Sequence, residues 1–286
     1  MVLPELDPVL ATVLSGMLGL FVGSFLNVVI YRLPIMLERD WRRQAAEFLQ
    51  QTDNGFPHEV FNLAVPRSAC PHCGHQIRAL ENIPVFSYLM LRGRCRQCHV
   101  PISLRYPLVE LMTAVLSAYT MWCFGFNWAG LGAVVFVWCM VALAFIDFDT
   151  QLLPDAITLP LLWLGLILNA GGVFVSPQEA VLGAVFGYMA LWSVYWLFKL
   201  LTGKEGMGYG DFKLLAAIGA WQGWQVLPAV ILVSSFLGAV IGVVLIVMFK
   251  GNKDKPIPFG PYLAVAGLSV LLFRLWFEQS LVFSLG

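Results

Sequence analysis

Long apolar runs alternate along this chain with short polar connections and one long polar insertion. Crossing the hydrocarbon layer takes roughly 20 mostly apolar residues. Runs of that kind lie near 10–31, 107–124, 129–146, 156–174, 179–198, 212–227, 228–249 and 258–277. About eight transmembrane helices are therefore predicted, and the fold class is an all-α polytopic membrane protein. Only the Trp224–Pro228 turn parts the sixth run from the seventh. The polar insertion, 32–105, separates a first transmembrane helix in 1–31 from a larger membrane domain in 106–286. Met1–Pro8 carries Glu5 and Asp7 but no basic residue, so the first run is expected to be an anchor and not a cleaved signal. The small-residue spacings Gly19–Gly23, Gly183–Gly187 and Gly238–Gly242 suit close packing between helices of the bundle.

Composition excludes the soluble classes. Hydrophobic residues make up 59% of the chain and charged residues 12%, with a mean hydropathy of +0.78. A soluble domain carries about a quarter charged residues. The formal net charge is zero, so no nucleic-acid partner is expected. That zero is a cancellation: residues 32–105 hold ten basic and six acidic residues, the remainder seven and eleven. With eight helices and the N-terminus outside, sixteen of the 17 basic residues share one side, leaving only Arg274 near the other. The excess of basic residues places that side, and the insertion, in the cytoplasm.

The insertion contains Cys70-Pro-His-Cys73 and Cys95-Arg-Gln-Cys98, two pairs with 21 residues between them. This is zinc-ribbon spacing, in which each pair forms a knuckle and four thiolates close a tetrahedron. A cytoplasmic setting keeps thiols reduced, which argues against disulfides. His58, His72, His75 and His99 also fall in the insertion, so a histidine replacing one cysteine is the competing ligand set. Four cysteine ligands leave no open position, so the metal is expected to be structural, supplying folding energy to a polar module. Cys123 and Cys139 lie in apolar helices, where packing is the expected role.

Five carboxylates lie near helix ends on the cytoplasmic side: Glu110, Asp147, Asp149, Asp155 and Asp211. Glu110 follows Pro107 and suits a helix dipole, Asp155 precedes an apolar run as an N-cap would, and Asp149 suits a solvated turn. Asp147 and Asp211 stand apart. Asp147 ends an apolar run with no basic residue beside it, at a cost that rises toward the bilayer centre. Asp211 follows Gly206-Met-Gly208-Tyr-Gly210. Those glycines allow positive φ or close passage of another chain, as beside a peptide substrate. The run lacks the ending of a phosphate loop and no strand precedes it, so no nucleotide site is expected.

Gly208-Tyr-Gly210-Asp211 is a GxGD signature, and together with Ile146-Asp147-Phe-Asp149-Thr-Gln-Leu-Leu-Pro154-Asp155 it resembles the bacterial type 4 prepilin peptidases. The stretch Gly23-Ser24-Phe25-Leu26-Asn27-Val28-Val29-Ile30-Tyr31-Arg32-Leu33-Pro34, the two cysteine pairs, Arg105-Tyr-Pro-Leu-Val-Glu110 and Pro258-Phe-Gly-Pro261 match that family in the same order. The resemblance implies membrane aspartyl proteolysis with Asp147 and Asp211 as the catalytic pair, Gly208 and Gly210 as its motif support, and zinc on Cys70, Cys73, Cys95 and Cys98. It implies removal of the basic leader from type IV prepilins or type II secretion pseudopilins. Methylation of the new N-terminus by S-adenosylmethionine is implied as well, at the bacterial inner membrane.

Two carboxylates in one site do not readily both ionise, so one is expected to hold a proton while the other activates water. Helix dipoles favour charge on Asp211, at a helix start, and the proton on Asp147, at a helix end. No glycine-rich cofactor fingerprint occurs in 32–105, so the methyl-donor site is unassigned. Ser24, Asn27 and Tyr31 form a polar stripe that either touches a ligand or bonds within the bundle. Pro256, Pro258 and Pro261 either line a substrate groove or simply start the last helix. Among other classes, a transporter would place its ionisable residues near mid-membrane on broken helices. A presenilin-like protease would share GxGD but not the zinc insertion. A zinc-ribbon assembly protein would leave the carboxylates unexplained.

Overall fold

The computed structural model describes residues 6–49, 60–249 and 258–284. Glu5, His58, Lys250, Lys253, Asp254, Lys255 and Pro256 lie outside the described residues, as do the side chains of Arg274 and Glu278. The helices are α1 (Pro8–Phe48), α2 (Phe86–Met90), α3 (Arg105–Phe124), α4 (Trp128–Thr150), α5 (Asp155–Ala170), α6 (Pro177–Thr202), α7 (Tyr209–Gln222), α8 (Leu227–Phe249) and α9 (Gly260–Ser284). No strand occurs among the described residues, which contain only isolated bridges. Five segments are long and apolar enough to cross a membrane: α1, α3, α4, α6 and Trp224–Val244. Asp155–Ala170 and Gly260–Phe273 are shorter apolar helices. The chain is a multi-pass membrane protein.

Local chemistry sets the helix ends. The Asn127 side chain accepts the Gly130 N–H at the start of α4. Ser176 and Glu179 form a reciprocal capping box before α6, with Pro177 at its first position. Gly203 ends α6 in the left-handed conformation. α1 departs from expectation. It passes Arg32 without a break, contains Pro34 and ends at Phe48, so the insertion begins as a helix. Pro34 removes one backbone hydrogen bond, but Glu38–Phe48 is rich in Glu, Arg, Gln and Ala, which favour helix without apolar burial.

The chain divides into two compact units, Val13–Ala118 and Met1–Thr12 with Tyr119–Gly286. In the first, α1 and α3 run antiparallel with almost no side chain between them. A Cβ on Gly19 would stand 2.9 Å from Ala114 Cα, and one on Gly23 2.7 Å from Glu110 Cα. Ser15 donates to Ser117 O and Asn27 to Tyr106 O, so Asn27 bonds within the bundle, whereas Tyr31 is exposed. Buried Arg32 donates to Asn62 O and Pro66 O, and Phe61 lies between it and Arg39, whose guanidinium sits 4.3 Å from the ring centroid.

In the second unit α7 is the central element, and every residue from Leu214 to Gln222 is buried. Gly183 and Gly219 bring the backbones of α6 and α7 into direct contact, and Gly187 abuts Leu215 and Ala216. Gly165 makes room for Trp221, whose Nε1–H donates to Leu161 O. Asn169 donates to Ala220 O and Trp221 O and accepts from the Phe174 and Val175 N–H groups, tying α5 and the following turn to the end of α7. These contacts fix α7, and with it Asp211.

Candidate active site and metal centre

Asp147 occupies the last turn of α4, which closes with Gln151 in the left-handed region and the Gln151 N–H bonded to Asp147 O. Asp211 lies in the first turn of α7, after Gly208 as N-cap. Both side chains belong to buried residues, 5% and 7% exposed, and they are near enough that the charge of one is felt at the other. Gly260 and Leu153 connect the two positions. The Gly260 N–H, at the start of α9, donates to Asp147 Oδ2 at 2.9 Å. Leu153 packs against Gly210 and Gly260, where a Cβ would stand 2.7 Å from Leu153 Cβ and 3.2 Å from its Cδ1 respectively. Asp211 Oδ1 is buried with no hydrogen-bond partner among the described residues.

Of the two roles expected for the glycine run, close approach applies and positive φ does not. None of Gly206, Gly208 and Gly210 has positive φ. Gly210 is needed for the close approach of Leu153, and Gly206 lies against the Phe198 ring. An added Cβ on Gly208 would make only ordinary contacts, with Asp211 Oδ2 at 3.9 Å and the Gly210 N at 4.0 Å. A side chain there would project over the carboxylate.

The other carboxylates have partners. Asp155 is the first helical residue of α5, not its cap, because Pro154 holds the capping position. Both Asp155 oxygens accept from Lys213 at 2.7 Å, joining the start of α5 to α7 two residues beyond Asp211. Asp149 is exposed at the end of α4. Glu110 lies in the second turn of α3, too far along for a simple dipole role. It is 8% exposed, accepts the Val85 N–H at 2.7 Å and is hydrogen-bonded to Ser24. Val85 has φ +58, a costly conformation for a β-branched residue, so Glu110 anchors a strained turn. Glu205, in the connection before the glycine run, is held below the usual carboxylate range by Lys199.

The four cysteines converge. Their Sγ atoms all lie within 4.8 Å of one another, with Cys70–Cys98 at 3.8 Å and Cys73–Cys95 at 4.0 Å. A tetrahedral ion with metal–sulfur bonds of about 2.3 Å holds its sulfurs about 3.8 Å apart, so the donor set fits zinc in both geometry and chemistry. The histidines are not needed as ligands. Backbone N–H groups of Cys73 and His72 pull the Cys70 thiol down to about 6. Those of Cys98 and Gln97 lower Cys95. At Cys98 the Val100 N–H acts downward, but burial and the neighbouring thiols prevail and push it up to about 12.

The two knuckles are copies. Cys70 N–H bonds to His75 O, and Cys95 N–H to Val100 O, both at 2.9 Å. Gly74 N–H bonds to Cys70 O, and His99 N–H to Cys95 O, both at 3.0 Å. The bridges Ala69↔Gln76 and Arg94↔Pro101 complete the correspondence. Gly74 and His99 occupy the same left-handed position, φ +69 and +58. The sequence shows this repeat in its cysteines and in Ile77 and Ile102, but not at the left-handed position, where His99 replaces the glycine.

Residues 17–124 match the family described as Bacterial Peptidase A24 N-terminal domain, and residues 133–243 the Type IV leader peptidase family. Among curated proteins, the chain is 58% identical over 277 residues to a prepilin leader peptidase/N-methyltransferase of Stutzerimonas stutzeri, covering 96% of this chain and 93% of that one. It is 59% identical over 255 residues to the protein of the same name in Aeromonas hydrophila, covering 89% and 88%. With that of Pseudomonas aeruginosa it shares 56% over 271 residues, covering 95% and 91%. No solved structure matches the chain at a significant level.

Proposed function

This chain belongs to the type IV leader peptidase family, and on that premise we propose that Asp147 and Asp211 cleave the basic leader of a prepilin or pseudopilin at the cytoplasmic edge of the inner membrane. The enzyme is a prepilin leader peptidase and N-methyltransferase by class. The observation that carries the assignment of residues is the meeting of two buried carboxylates from separate helices, one of them accepting a backbone N–H.

The local geometry favours a division of labour opposite to the one that each aspartate's own helix suggests. Asp147 ends α4, but its carboxylate sits at the start of α9, where the Gly260 N–H and the helix dipole stabilise charge. Asp211 has an oxygen without a partner among the described residues. Asp147 is therefore the base that takes a proton from water as the water oxygen bonds to the scissile carbonyl carbon. Asp211 gives its proton to the carbonyl oxygen. On collapse of the tetrahedral intermediate, Asp211 recovers a proton from that hydroxyl, the C–N bond breaks and Asp147 protonates the departing amine. The Lys213–Asp155 pair and Leu153 hold the two helix ends in place meanwhile.

Zinc on Cys70, Cys73, Cys95 and Cys98 is structural, closing a module too polar to fold by burial alone. S-adenosylmethionine is the proposed methyl donor, supplying an electrophilic methyl group to the freed amine. The test is incubation of the purified enzyme with a prepilin, with and without S-adenosylmethionine, in wild-type, Asp147→Asn and Asp211→Asn forms. Mass spectrometry reports leader loss and methyl gain separately. Both variants are expected to lose leader cleavage, and unchanged cleavage in either overturns the pair.

A further inference from the structure

The carboxylate of Glu81 lies between the two cysteine knuckles and holds one residue of each. Its Oε2 accepts from His75 Nε2–H at 3.1 Å and from the Arg78 N–H at 3.2 Å, and its Oε1 accepts from Arg96 at 3.1 Å. His75 closes the first knuckle, since its carbonyl receives the Cys70 N–H. Arg96 lies between Cys95 and Cys98 in the second. The Glu81 side chain is only 8% exposed, although it stands in a polar module. It is not a metal ligand, and nothing in the proteolytic reading uses it.

The repeat makes this arrangement specific. The counterpart of His75 in the second knuckle is Val100, and that of Arg96 in the first is Pro71. Neither counterpart offers a side-chain donor. The two copies thus diverge at the positions Glu81 holds, and a symmetric pair of knuckles would have no such link. With 21 residues between the cysteine pairs, bringing the half-sites together costs loop-closure entropy that the thiols alone would have to offset.

We propose that Glu81 is the positioning residue of the metal centre, clamping the two knuckles in register so that four thiols stand preassembled and a bound metal leaves slowly. The inference rests on the zinc reading above. Supporting groups around a metal site typically change metal affinity about 10–100-fold when removed.

The test uses full-length protein purified with zinc, with metal content measured first and transfer to a chromophoric chelator followed over time. Glu81→Gln is expected to release zinc about 10–100-fold faster than wild type. Arg96→Gln, which removes one arm of the clamp at a residue 62% exposed, is expected to release it faster than wild type but more slowly than Glu81→Gln. Acceleration at an unchanged thermal midpoint separates clamping from general destabilisation. Wild-type release rates in both variants overturn the role of Glu81. If Glu81→Gln does not fold, the Arg96→Gln rate decides. A wild-type protein that holds no zinc overturns the metal reading itself, and the clamp with it.

Discussion

Gly260→Ala tests the geometry of the carboxylate pair without touching either aspartate. A Cβ at this position would stand 2.6 Å from Asp147 Oδ2, 3.0 Å from its Cγ and 3.2 Å from Leu153 Cδ1. Carbon contacts settle at about 3.5–4.0 Å, so the carboxylate must retreat by roughly 0.5–1 Å. That retreat stretches the 2.9 Å bond from the Gly260 N–H beyond useful length. A hydrogen bond to a charged group contributes about 1.5–3 kcal/mol. At about 1.4 kcal/mol per decade of rate, kcat for leader cleavage should fall about 10–150-fold. The same lost bond should lower the thermal midpoint, offset in part by the preference for alanine over glycine in a helix, about 0.5–1 kcal/mol. The assay is single-turnover leader cleavage of a prepilin in detergent, alongside a thermal midpoint. Cleavage within twofold of wild type would refute the placement of Asp147 against α9 and the role given to it.

In the knuckles, Gly74→Ala meets no atom within 4 Å, so its cost is conformational, about 1 kcal/mol. His99→Gly should gain a similar amount at the equivalent position, both read from denaturant midpoints. Asn169→Ala strips partners from two buried carbonyls and the Phe174 and Val175 N–H groups. At about 1–3 kcal/mol for each unpaired group, it should cost at least about 3 kcal/mol in a thermal or denaturant melt.

The apolar runs announced nearly every long helix, because burial in lipid writes itself as unbroken hydrophobicity. They missed the continuation of α1 to Phe48, since a helix outside the apolar layer leaves no such record and Pro34 argues against it. The cysteine pairs announced their cluster, whose spacing suits tetrahedral ligation. Glu81 and Arg96 looked like any charges in a polar loop, because their meaning lies in a contact across the knuckles. Asp147 and Asp211 drew notice as lone carboxylates at the edges of apolar runs, and the structure brings them together. Gly260 stood out only as a member of Pro258-Phe-Gly-Pro261, because what matters there is a backbone N–H and the absence of a Cβ. The dipole argument counted each aspartate's own helix, whereas the division of labour proposed above also counts the helix arriving from elsewhere. Glu110 was underestimated because its partners, Ser24 and Val85, are distant in the chain.

α7 has 14 residues, about 21 Å of helix, against a hydrocarbon layer of about 30 Å. Its length is no defect, because protein encloses it along most of that length. Bilayer thickness acts on helices through the lipid they touch, and α7 touches little. The depth at which Asp211 sits is thus dictated by α5 and α6, through Asn169, Gly183 and Gly187, and not by the surrounding lipid. In thicker or thinner membranes the outer helices can take up the mismatch by tilting, while the level of Asp211 stays referenced to α5 and α6.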